Sequence, residues 1–171
     1  MQLDPDASIA LGKDLTMPPK ETVMALYRAY GTSDERTIER LLHESVTWVA
    51  PAGNATQVAL GIGKPEDAGL PAGTNTLNRE QIVRFMARNF PRFFTDRTNV
   101  FRCIAAEGSF VFVEHRLSAR LPNGRNYSND YCFVYEVKDG QVVAIREYMD
   151  TRGGWVQVFG DREASQLIEY L

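Results

Sequence analysis

Hydrophobic residues follow a helical period in three segments of the first half of the chain. The first segment runs from about Lys20 to Gly31, and the second follows a capping sequence at 32–35. We expect a third helix from Asn78 to about Phe94. Its inward stripe would consist of Ile82, Phe85, Met86, Asn89, Phe90 and Phe93. The chain therefore opens with an αα-hairpin and carries a longer amphipathic helix further on.

The second half of the chain alternates apolar and polar residues with the period of two that is typical of β-strands. Four strands are predicted, at 98–106, 109–121, 126–138 and 141–150. Asn123-Gly124 and Asp139-Gly140 are strong two-residue hairpin signals, so the last three strands form an antiparallel meander. With a short strand at 46–50, this pattern predicts an α+β fold in which the N-terminal helices cover one face of a curved antiparallel sheet.

Three parts of the chain lie outside this pattern and set the predicted domain boundaries. Residues 1–18 lack any period and are expected to form a flexible arm before the domain at 19–152. The pattern breaks at 151–154, and residues 153–171 are expected to form a C-terminal helical extension. The long segment at 51–76 is rich in Gly, Ala and Pro, and two interpretations stay open for it, a functional lid or a variable insertion.

A register argument brings three ionisable residues to one face of the meander. If both hairpin turns contain two residues, His115 pairs with Cys132, and Cys132 pairs with Glu147. Asp130 then lies diagonal to His115, within reach of a side-chain hydrogen bond. The rest of this face is mostly aliphatic, so we expect it under the helices, with the more aromatic and charged face outside. The same argument leaves open on which face Arg102 lies.

A buried His, Asp and Glu around one cavity form an acid/base constellation. Burial raises the pKa of a carboxyl group and a nearby carboxylate raises that of an imidazole, so the predicted catalytic residues are His115, Asp130 and Glu147. The alternative is a hydrogen-bonded polar network that fixes the sheet without doing chemistry. The combination favours a site, because each charge on an apolar face needs a partner.

Further residues are candidates for the walls of this pocket. Tyr27 and Tyr30 can donate phenolic hydrogen bonds from the first helix, or serve as core residues with a polar tip. Trp48 is expected in the wall, and Asn89 either orients a ligand carbonyl or caps neighbouring backbone. The remaining predicted substrate-binding residues are Phe85, Met86, Phe90, Val113, Cys132, Ile145 and Met149.

Composition and charge narrow the classes of function. The chain has 171 residues, 44% of them hydrophobic, and a formal net charge of −3, which fits one domain with a core large enough to enclose a pocket. A pI of about 5.5 without a block of like charges argues against nucleic acid as a partner. No apolar run reaches the length of a membrane span and no export signal is recognisable, so we expect a cytoplasmic protein. The cysteines form no CxxC motif and the histidines no metal-binding pattern, so no metal or cofactor is implied.

Two stretches of the meander resemble a known family. The segments 129–140 and 145–151 resemble the SnoaL-like branch of the nuclear-transport-factor-2-like superfamily, and the resemblance covers roughly residues 20–152. It implies a cone-shaped, cystatin-like α+β barrel with a deep pocket, usually assembled as a homodimer through the outer face of the sheet. The superfamily includes ketosteroid isomerases, polyketide cyclases, scytalone dehydratase, limonene epoxide hydrolase and non-catalytic binding modules, so the fold is better specified than the reaction.

The resemblance also implies roles for individual residues. Glu147 matches the pocket carboxylate of phenazine-pathway enzymes, and His115 lies about where scytalone dehydratase has a strand histidine. Ala50 stands where ketosteroid isomerases carry their base, and Leu117 where epoxide hydrolases carry a second carboxylate. We therefore expect a cofactor-independent lyase, dehydratase or isomerase that acts on a hydrophobic cyclic or aromatic small molecule by general acid/base catalysis. The alternatives are an epoxide hydrolase and a non-catalytic ligand-binding or accessory module.

Overall fold

Six strands and the helices that pack on them make up the described residues, 17–61 and 75–160, of a computed structural model. The helical elements are α1 Pro19–Thr32, α2 Glu35–Leu41, α3 Ala55–Leu60, α4 Arg79–Arg84, a π-helical turn Phe85–Asn89, α5 Phe90–Phe93 and α6 Thr151–Phe159. The strands are β1 Leu42–Ala50, β2 Asn75–Leu77, β3 Thr95–Glu107, β4 Phe110–Arg120, β5 Asn126–Lys138 and β6 Gln141–Met149.

The strands form one curved, unclosed sheet in the order β2-β1-β6-β5-β4-β3. Neighbouring strands are antiparallel except β1 and β6, which run parallel, so the sheet is mixed rather than wholly antiparallel as predicted. The parallel pair arises because β1, which precedes the meander in the chain, lies beside the last strand of the meander. The predicted α+β fold, with helices on a curved sheet, is confirmed.

Helices α1 and α2 cover the inner face of the sheet. Helix α1 begins with Pro19, where a missing N–H leaves no hydrogen bond unmade, and Ser33 follows it in the left-handed conformation. The Asp34 side chain caps α2 by accepting a backbone N–H of the first turn. The core beneath these helices includes Val23, Leu26, Ile38, Leu41 and Val111. Burial of each such side chain contributes about 1.5–3 kcal/mol, and this packing fixes the helix face that carries Tyr27 and Tyr30.

The third predicted helix is present, but its middle is the π-helical turn. Asn78 and Gln81 form a capping box at its start, in which each side chain bonds the backbone N–H of the other. A π turn takes one residue more than an α-helical turn and thus rotates the positions that follow it. Met86 and Phe90 therefore face the core, whereas Asn89 is half-buried and lines an outer groove. The prediction of Asn89 on the inward stripe was wrong for this reason.

The segment at 51–76 contains regular structure that its composition did not indicate. The Asn54 side-chain oxygen accepts the Gln57 N–H at 3.2 Å and so caps helix α3, which ends at Gly61 with a φ of 62°. At its other end, β2 pairs with β1. Residues 62–74 lie outside the described residues, and the choice between a lid and an insertion stays open for them.

The hairpin between β4 and β5 has a three-residue loop instead of the predicted two-residue turn. Leu121 pairs with Arg125 through a hydrogen bond of 2.8 Å, and Gly124 adopts a φ of 80° between them. His115 consequently pairs with Tyr131, one residue away from its predicted partner on β5. This shift of one residue exchanges the two faces of β5.

The hairpin between β5 and β6 has the predicted two-residue turn at Asp139-Gly140, but its ladder contains a β-bulge beside Glu136. The bulge shifts the pairing of β6 by one residue. The two shifts cancel for β6, so Glu147 faces inward as predicted. They do not cancel for β5, where Asp130 and Cys132 face outward, contrary to the prediction.

The outer face of the meander carries exposed apolar and charged side chains. Its large apolar members, between 36% and 56% exposed, are Val100, Phe110, Phe112 and Tyr148. Arg102 lies at a β-bulge of β3 and forms ion pairs with Glu114 at 3.4 Å and Asp130 at 3.2 Å, which assigns it to this outer face. The expected homodimer through this face stays a prediction.

Helix α6 begins at Thr151 rather than after the predicted break. The Asp150 side chain accepts the Gly153 N–H at 2.8 Å and caps the helix, which accommodates two glycines in its first turn. A Cβ on Gly154 would come within 3.1 Å of the Asn129 amide nitrogen, so the bare backbone permits the close approach of α6 to β5.

Two predicted segments fall largely outside the described residues. They are the N-terminal arm, of which only residues 17 and 18 are described, and the part of the C-terminal extension beyond residue 160. Within the described ranges, no helix is long and apolar enough to cross a bilayer.

Candidate functional site

A cavity lies between the inner face of the sheet and the helices. It offers about 40 Å³ to the centres of water molecules, which is room for about three waters. Most of its lining is aromatic or aliphatic. Apart from tyrosines, its polar lining residues are Asn54, Thr56, Gln57, Asn99, His115 and Glu147. Asn99 is exposed, so the cavity reaches the surface beside it.

Glu147 is the buried carboxyl group of this cavity, and only 6% of it is exposed. Its Oε2 accepts a hydrogen bond from Trp48 Nε1 at 3.0 Å, and its Oε1 accepts one from Asn54 Nδ2 at 3.1 Å. Burial raises the pKa of Glu147 to about 8, although both hydrogen bonds act in the opposite direction. The group is therefore protonated at neutral pH. Because each oxygen already accepts one bond, the carboxyl proton is available to the cavity.

His115 is the buried imidazole of the cavity, held among aromatic rings. It stacks beside Tyr131 and Phe133 at centroid distances of 5.4 and 5.7 Å, and the Tyr27 ring meets its edge at 5.6 Å. Neither ring nitrogen has a hydrogen-bond partner among the described residues. Burial lowers the pKa of His115 to about 4, and Asp130 on the opposite face raises it to a smaller extent. The imidazole is thus neutral at pH 7, with one nitrogen able to accept a proton.

The opposite pKa shifts of these two residues define the chemistry of the cavity. Between about pH 4 and about pH 8, His115 is a neutral base and Glu147 is a neutral acid. Glu147 lies two strands away from His115 and is displaced from it by two residues along the strand direction. In an ideal sheet this places their Cα atoms about 12 Å apart.

Tyrosine hydroxyl groups supply neutral hydrogen bonds around the acid and the base. The Tyr135 hydroxyl donates to the Tyr27 hydroxyl at 3.1 Å, and Tyr127 and Tyr131 share a hydrogen bond of 2.7 Å. Burial raises the pKa of all four hydroxyl groups, so they keep their protons. The predicted register had assigned the three β5 tyrosines to the outer face. All three face inward, and Tyr131 and Tyr135 line the cavity and make one of its walls aromatic.

The predicted pocket residues divide into those that line the cavity and those that do not. The former are Tyr27, Tyr30, Trp48, Phe85, Met86, Phe90 and Ile145. Val113 is fully buried in the core and Met149 packs against the core half-buried, but neither lines the cavity. Cys132 and Asn89 lie outside it, because of the shift in β5 and of the π turn, respectively.

Among the polar cavity residues that were not predicted, three lie in the segment expected to be a loop. They are Asn54, Thr56 and Gln57. A signal was present, since Asn54 and Gln57 have the spacing of a helix N-cap and the third helical residue. That pattern predicts the start of a helix but not the position of the helix beside Glu147.

Asp130 does not join the site. On the outer face its carboxylate accepts two hydrogen bonds of 2.7 Å from Arg116 and forms an ion pair of 3.2 Å with Arg102. These cations lower the pKa of Asp130. The prediction that Asp130 lies beside His115 and polarises it was wrong, because the three-residue loop turns this carboxylate away from the imidazole. Its charge still raises the pKa of His115, but by less than burial lowers it.

Asp130→Asn should therefore leave turnover near pH 7 unchanged, and the rise in rate near pH 4 should move only slightly to lower pH, because the small effect of the Asp130 charge on the pKa of His115 is lost. The substitution removes an exposed ion pair, which contributes little to stability. Rates measured from pH 4 to 9 on wild type and this variant would check the expectation, with His115→Phe as the contrasting variant on the inner face of the same hairpin. A loss in Asp130→Asn as large as that in His115→Phe would contradict the assignment of Asp130 to the outer face.

The comparison with protein families bears on the whole α+β domain. Residues 23–145 match the SnoaL-like domain, which is more than half of the chain. The chain belongs to the SnoaL-like family. This membership confirms the resemblance found in the sequence. Among curated proteins, none matches this SnoaL-like chain.

Several solved structures share the fold of this SnoaL-like chain. An NTF2-like protein of unknown function from Burkholderia pseudomallei has 19% identity and a TM-score of 0.65, over 84% of this chain and 99% of that one. IdmH, a putative polyketide cyclase from Streptomyces antibioticus, has 21% identity and a TM-score of 0.63, over 83% and 99%. TerC, co-crystallised with polyporic acid, has 22% identity and a TM-score of 0.63, over 82% and 98%. At these identities the likeness is one of fold.

Proposed function

We propose that this protein is an enzyme that moves protons on a hydrophobic cyclic or aromatic small molecule, as an isomerase, dehydratase or lyase. His115 acts as the general base and Glu147 as the general acid. The observation that carries the proposal is the pair itself: one cavity holds a neutral imidazole with no partner among the described residues and a protonated carboxyl group.

The proposed first step converts a ketone to its enol. His115 takes a proton from the carbon next to the carbonyl group, the C–H electron pair forms a carbon–carbon double bond, and the carbonyl oxygen takes the proton of Glu147. The products are an imidazolium, a carboxylate and a neutral enol. Trp48 and Asn54 donate to the carboxylate as it forms, and such positioned donors stabilise developing charge.

The second step decides between the reaction types. In the isomerisation of a β,γ-unsaturated ketone, the first step gives a dienol. The imidazolium then returns its proton to the γ-carbon, the double bond moves between the α- and β-carbons, and the enol proton goes back to Glu147 as the carbonyl group re-forms. In a dehydration, the imidazolium protonates a hydroxyl group that leaves as water, and Glu147 recovers its proton from the enol oxygen. Both routes restore the neutral acid and base, and neither consumes a further reactant.

The substrate class is inferred from the cavity and from the fold relatives. Aromatic rings on β5 and on the helical segment around the π turn make an apolar lining, which favours a flat, hydrophobic molecule. IdmH, a putative polyketide cyclase, and TerC, co-crystallised with polyporic acid, share the fold, and both fit this class of molecule. Leu117 lines the cavity where the resemblance gives epoxide hydrolases their second carboxylate, so epoxide hydrolysis gains no support.

A ligand-binding role without chemistry is the second candidate. It is favoured by the small size of the cavity, which admits about three waters, so that a ring-sized molecule enters only if side chains move. Under this hypothesis the raised pKa of Glu147 is a by-product of burial.

Exchange of carbon-bound hydrogen distinguishes the two candidates without knowledge of the natural substrate. We expect the protein to accelerate the incorporation of deuterium next to the carbonyl group of cyclic ketones in heavy water, followed by NMR over a panel of mono- and bicyclic ketones. His115→Phe and Glu147→Gln should abolish the acceleration, and Asp130→Asn should retain it. Binding of a ketone without faster exchange would favour the ligand-binding role.

A further inference from the structure

Gln57 has a buried side chain whose polar atoms are unused. The residue is 1% exposed, lines the cavity, and neither its amide nitrogen nor its amide oxygen has a hydrogen-bond partner among the described residues. A buried amide without partners destabilises a folded protein, because its hydrogen bonds to water are lost on folding. Both groups of this amide are therefore available to a molecule inside the cavity.

A second glutamine in the same local sequence shows that this arrangement is not an ordinary helix start. Asn54 and Asn78 each cap a helix, and each is followed three residues later by a glutamine. Gln81 uses its side chain to accept the Asn78 N–H at 3.0 Å, which completes a capping box. The N–H of Asn54 instead donates to Pro51 O at 3.3 Å. Gln57 is thereby released from the capping role.

The side chain of Asn54 ties this free amide to the acid of the site. Its Oδ1 accepts the backbone N–H of Gln57, and its Nδ2 donates to Glu147 Oε1. Gln57 and Glu147 thus line one cavity and are bridged by a single side chain. A molecule in the cavity that receives a proton from Glu147 is therefore in a space that Gln57 also lines.

We infer that Gln57 is a substrate-binding residue that selects a cyclic molecule with a carbonyl group beside an enolic hydroxyl, such as an enolised β-diketone. The enolic hydroxyl gives up its internal hydrogen bond to the carbonyl oxygen. The amide nitrogen then donates to the carbonyl oxygen and the amide oxygen accepts from the hydroxyl, so both unused groups are satisfied at once. This inference rests on the proposed function for its choice among molecules that can pair with an amide, since the keto-enol pair is the product formed when His115 removes the acidic C–H between the two carbonyl groups of a β-diketone.

The charge of the cavity argues against a carboxylate in this position. Its lining contains no lysine or arginine among the described residues, and His115 is neutral at pH 7. An ionised carboxylate would enter without a countercharge, which is strongly unfavourable in an apolar site. A neutral keto-enol pair both accepts from and donates to the amide, which an ionised carboxylate cannot do, and it avoids this penalty.

The test is the binding of two ring ketones of matched size, measured by titration calorimetry. The probes are 2-acetylcyclohexanone, which forms the keto-enol pair, and 2-isopropylcyclohexanone, which has one carbonyl group only. We expect the wild type to bind the first about ten- to a hundredfold more tightly. Gln57→Met, which keeps the chain length and removes the amide, should bring the two affinities close together. Val58→Ala, an exposed neighbour on α3, should keep the preference.

Thermal unfolding of the same variants completes the test. Because Gln57→Met removes an unsatisfied buried amide, its Tm should equal or exceed that of wild type. A preference that persists in Gln57→Met and Gln57→Leu would overturn the inference, as would failure of both variants to fold, since the amide would then be structural. Deuterium exchange is scored separately. If Gln57→Met loses the preference and the wild type shows no deuterium exchange, the inference stands for a ligand-binding protein. If the wild type shows exchange and Gln57→Met keeps the preference, only the proposed function stands.

Discussion

Glu147→Gln should lower turnover about 10²- to 10⁴-fold, the usual contribution of a positioned acid or base. The glutamine amide keeps the shape of the carboxyl group, and its oxygen can still accept one of the bonds from Trp48 and Asn54. It cannot deliver a proton. In the wild type, kcat/KM should rise as His115 loses its proton near pH 4 and fall as Glu147 loses its proton near pH 8.

The pH profile separates this chemical role from a structural one. Any residual activity of Glu147→Gln should lack the decline near pH 8, because the group that titrates there is absent. His115→Phe, which preserves the ring packing beside Tyr131 and Phe133, should lose activity to a similar extent. The measurement is kcat/KM from pH 4 to 9 with a ketone that undergoes exchange. A full decline near pH 8 in the glutamine variant would refute the assignment of the acid.

The free energy of unfolding should fall by about 2 kcal/mol between pH 6.5 and pH 8. In this interval the folded protein keeps a proton on Glu147, whose pKa is raised to about 8, whereas the unfolded chain has lost it near 4.5. The folded state thus binds more protons, and its stability decreases as the pH rises. His115 contributes nothing here, because it is neutral in both states above its ordinary pKa of 6.5.

Below pH 6.5 the two residues oppose each other. His115 has its pKa lowered to about 4, so the unfolded chain binds the extra proton there and stability rises with pH from about 4 to 6.5. Glu147 produces a fall from about 4.5 upward, and the sum is nearly flat. Urea unfolding at a series of pH values tests this balance. Glu147→Gln should be flat above pH 6.5, and His115→Phe should begin to lose stability near pH 4.5. Parallel curves for wild type and Glu147→Gln would contradict the raised pKa.

The sequence predicted the two cavity groups for different reasons. His115 lies between Val113 and Leu117 on a strand with a clear alternation, and this local pattern was sufficient to turn it inward. Glu147 was predicted to face inward from a register that contains two errors, one in each hairpin, and the errors cancel. The predicted orientation of Glu147 is right, but the prediction exchanged the inner and outer faces of β5, the strand between the two residues.

The wrong assignment of the two faces of β5 has a recognisable cause in the turn before this strand. Pro122 occupies the second position of the turn that begins at Leu121, where proline favours a type I turn. Only Gly124 then needs a left-handed conformation, and a three-residue loop results. At the other hairpin both Asp139 and Gly140 have positive φ, as a two-residue turn of type I′ requires. The β-bulge in the second ladder has no comparable signal in the sequence.

The α3 segment was missed because burial, and not composition, makes it part of the site. A stretch rich in Gly, Ala and Pro indicates a loop, and six helical residues are too few to show a period. The position of Gln57 depends on contacts across the fold, such as the bond from Asn54 to Glu147, which joins residues 93 positions apart. Sequence pattern thus identified the reactive groups of the sheet better than the groups that select a ligand.

Asn54 connects the segment proposed to bind the ligand to the strand that carries the acid. One side of its amide starts a helix and the other holds the carboxyl group of β6, so the recognition segment and the reactive strand are joined by one small side chain. Substitutions in α3 at positions after Asn54 can alter which molecule is bound, while the sheet keeps its acid and base. Asn54 itself cannot vary in this way, since any residue at this position must both cap α3 and donate a hydrogen bond to the acid.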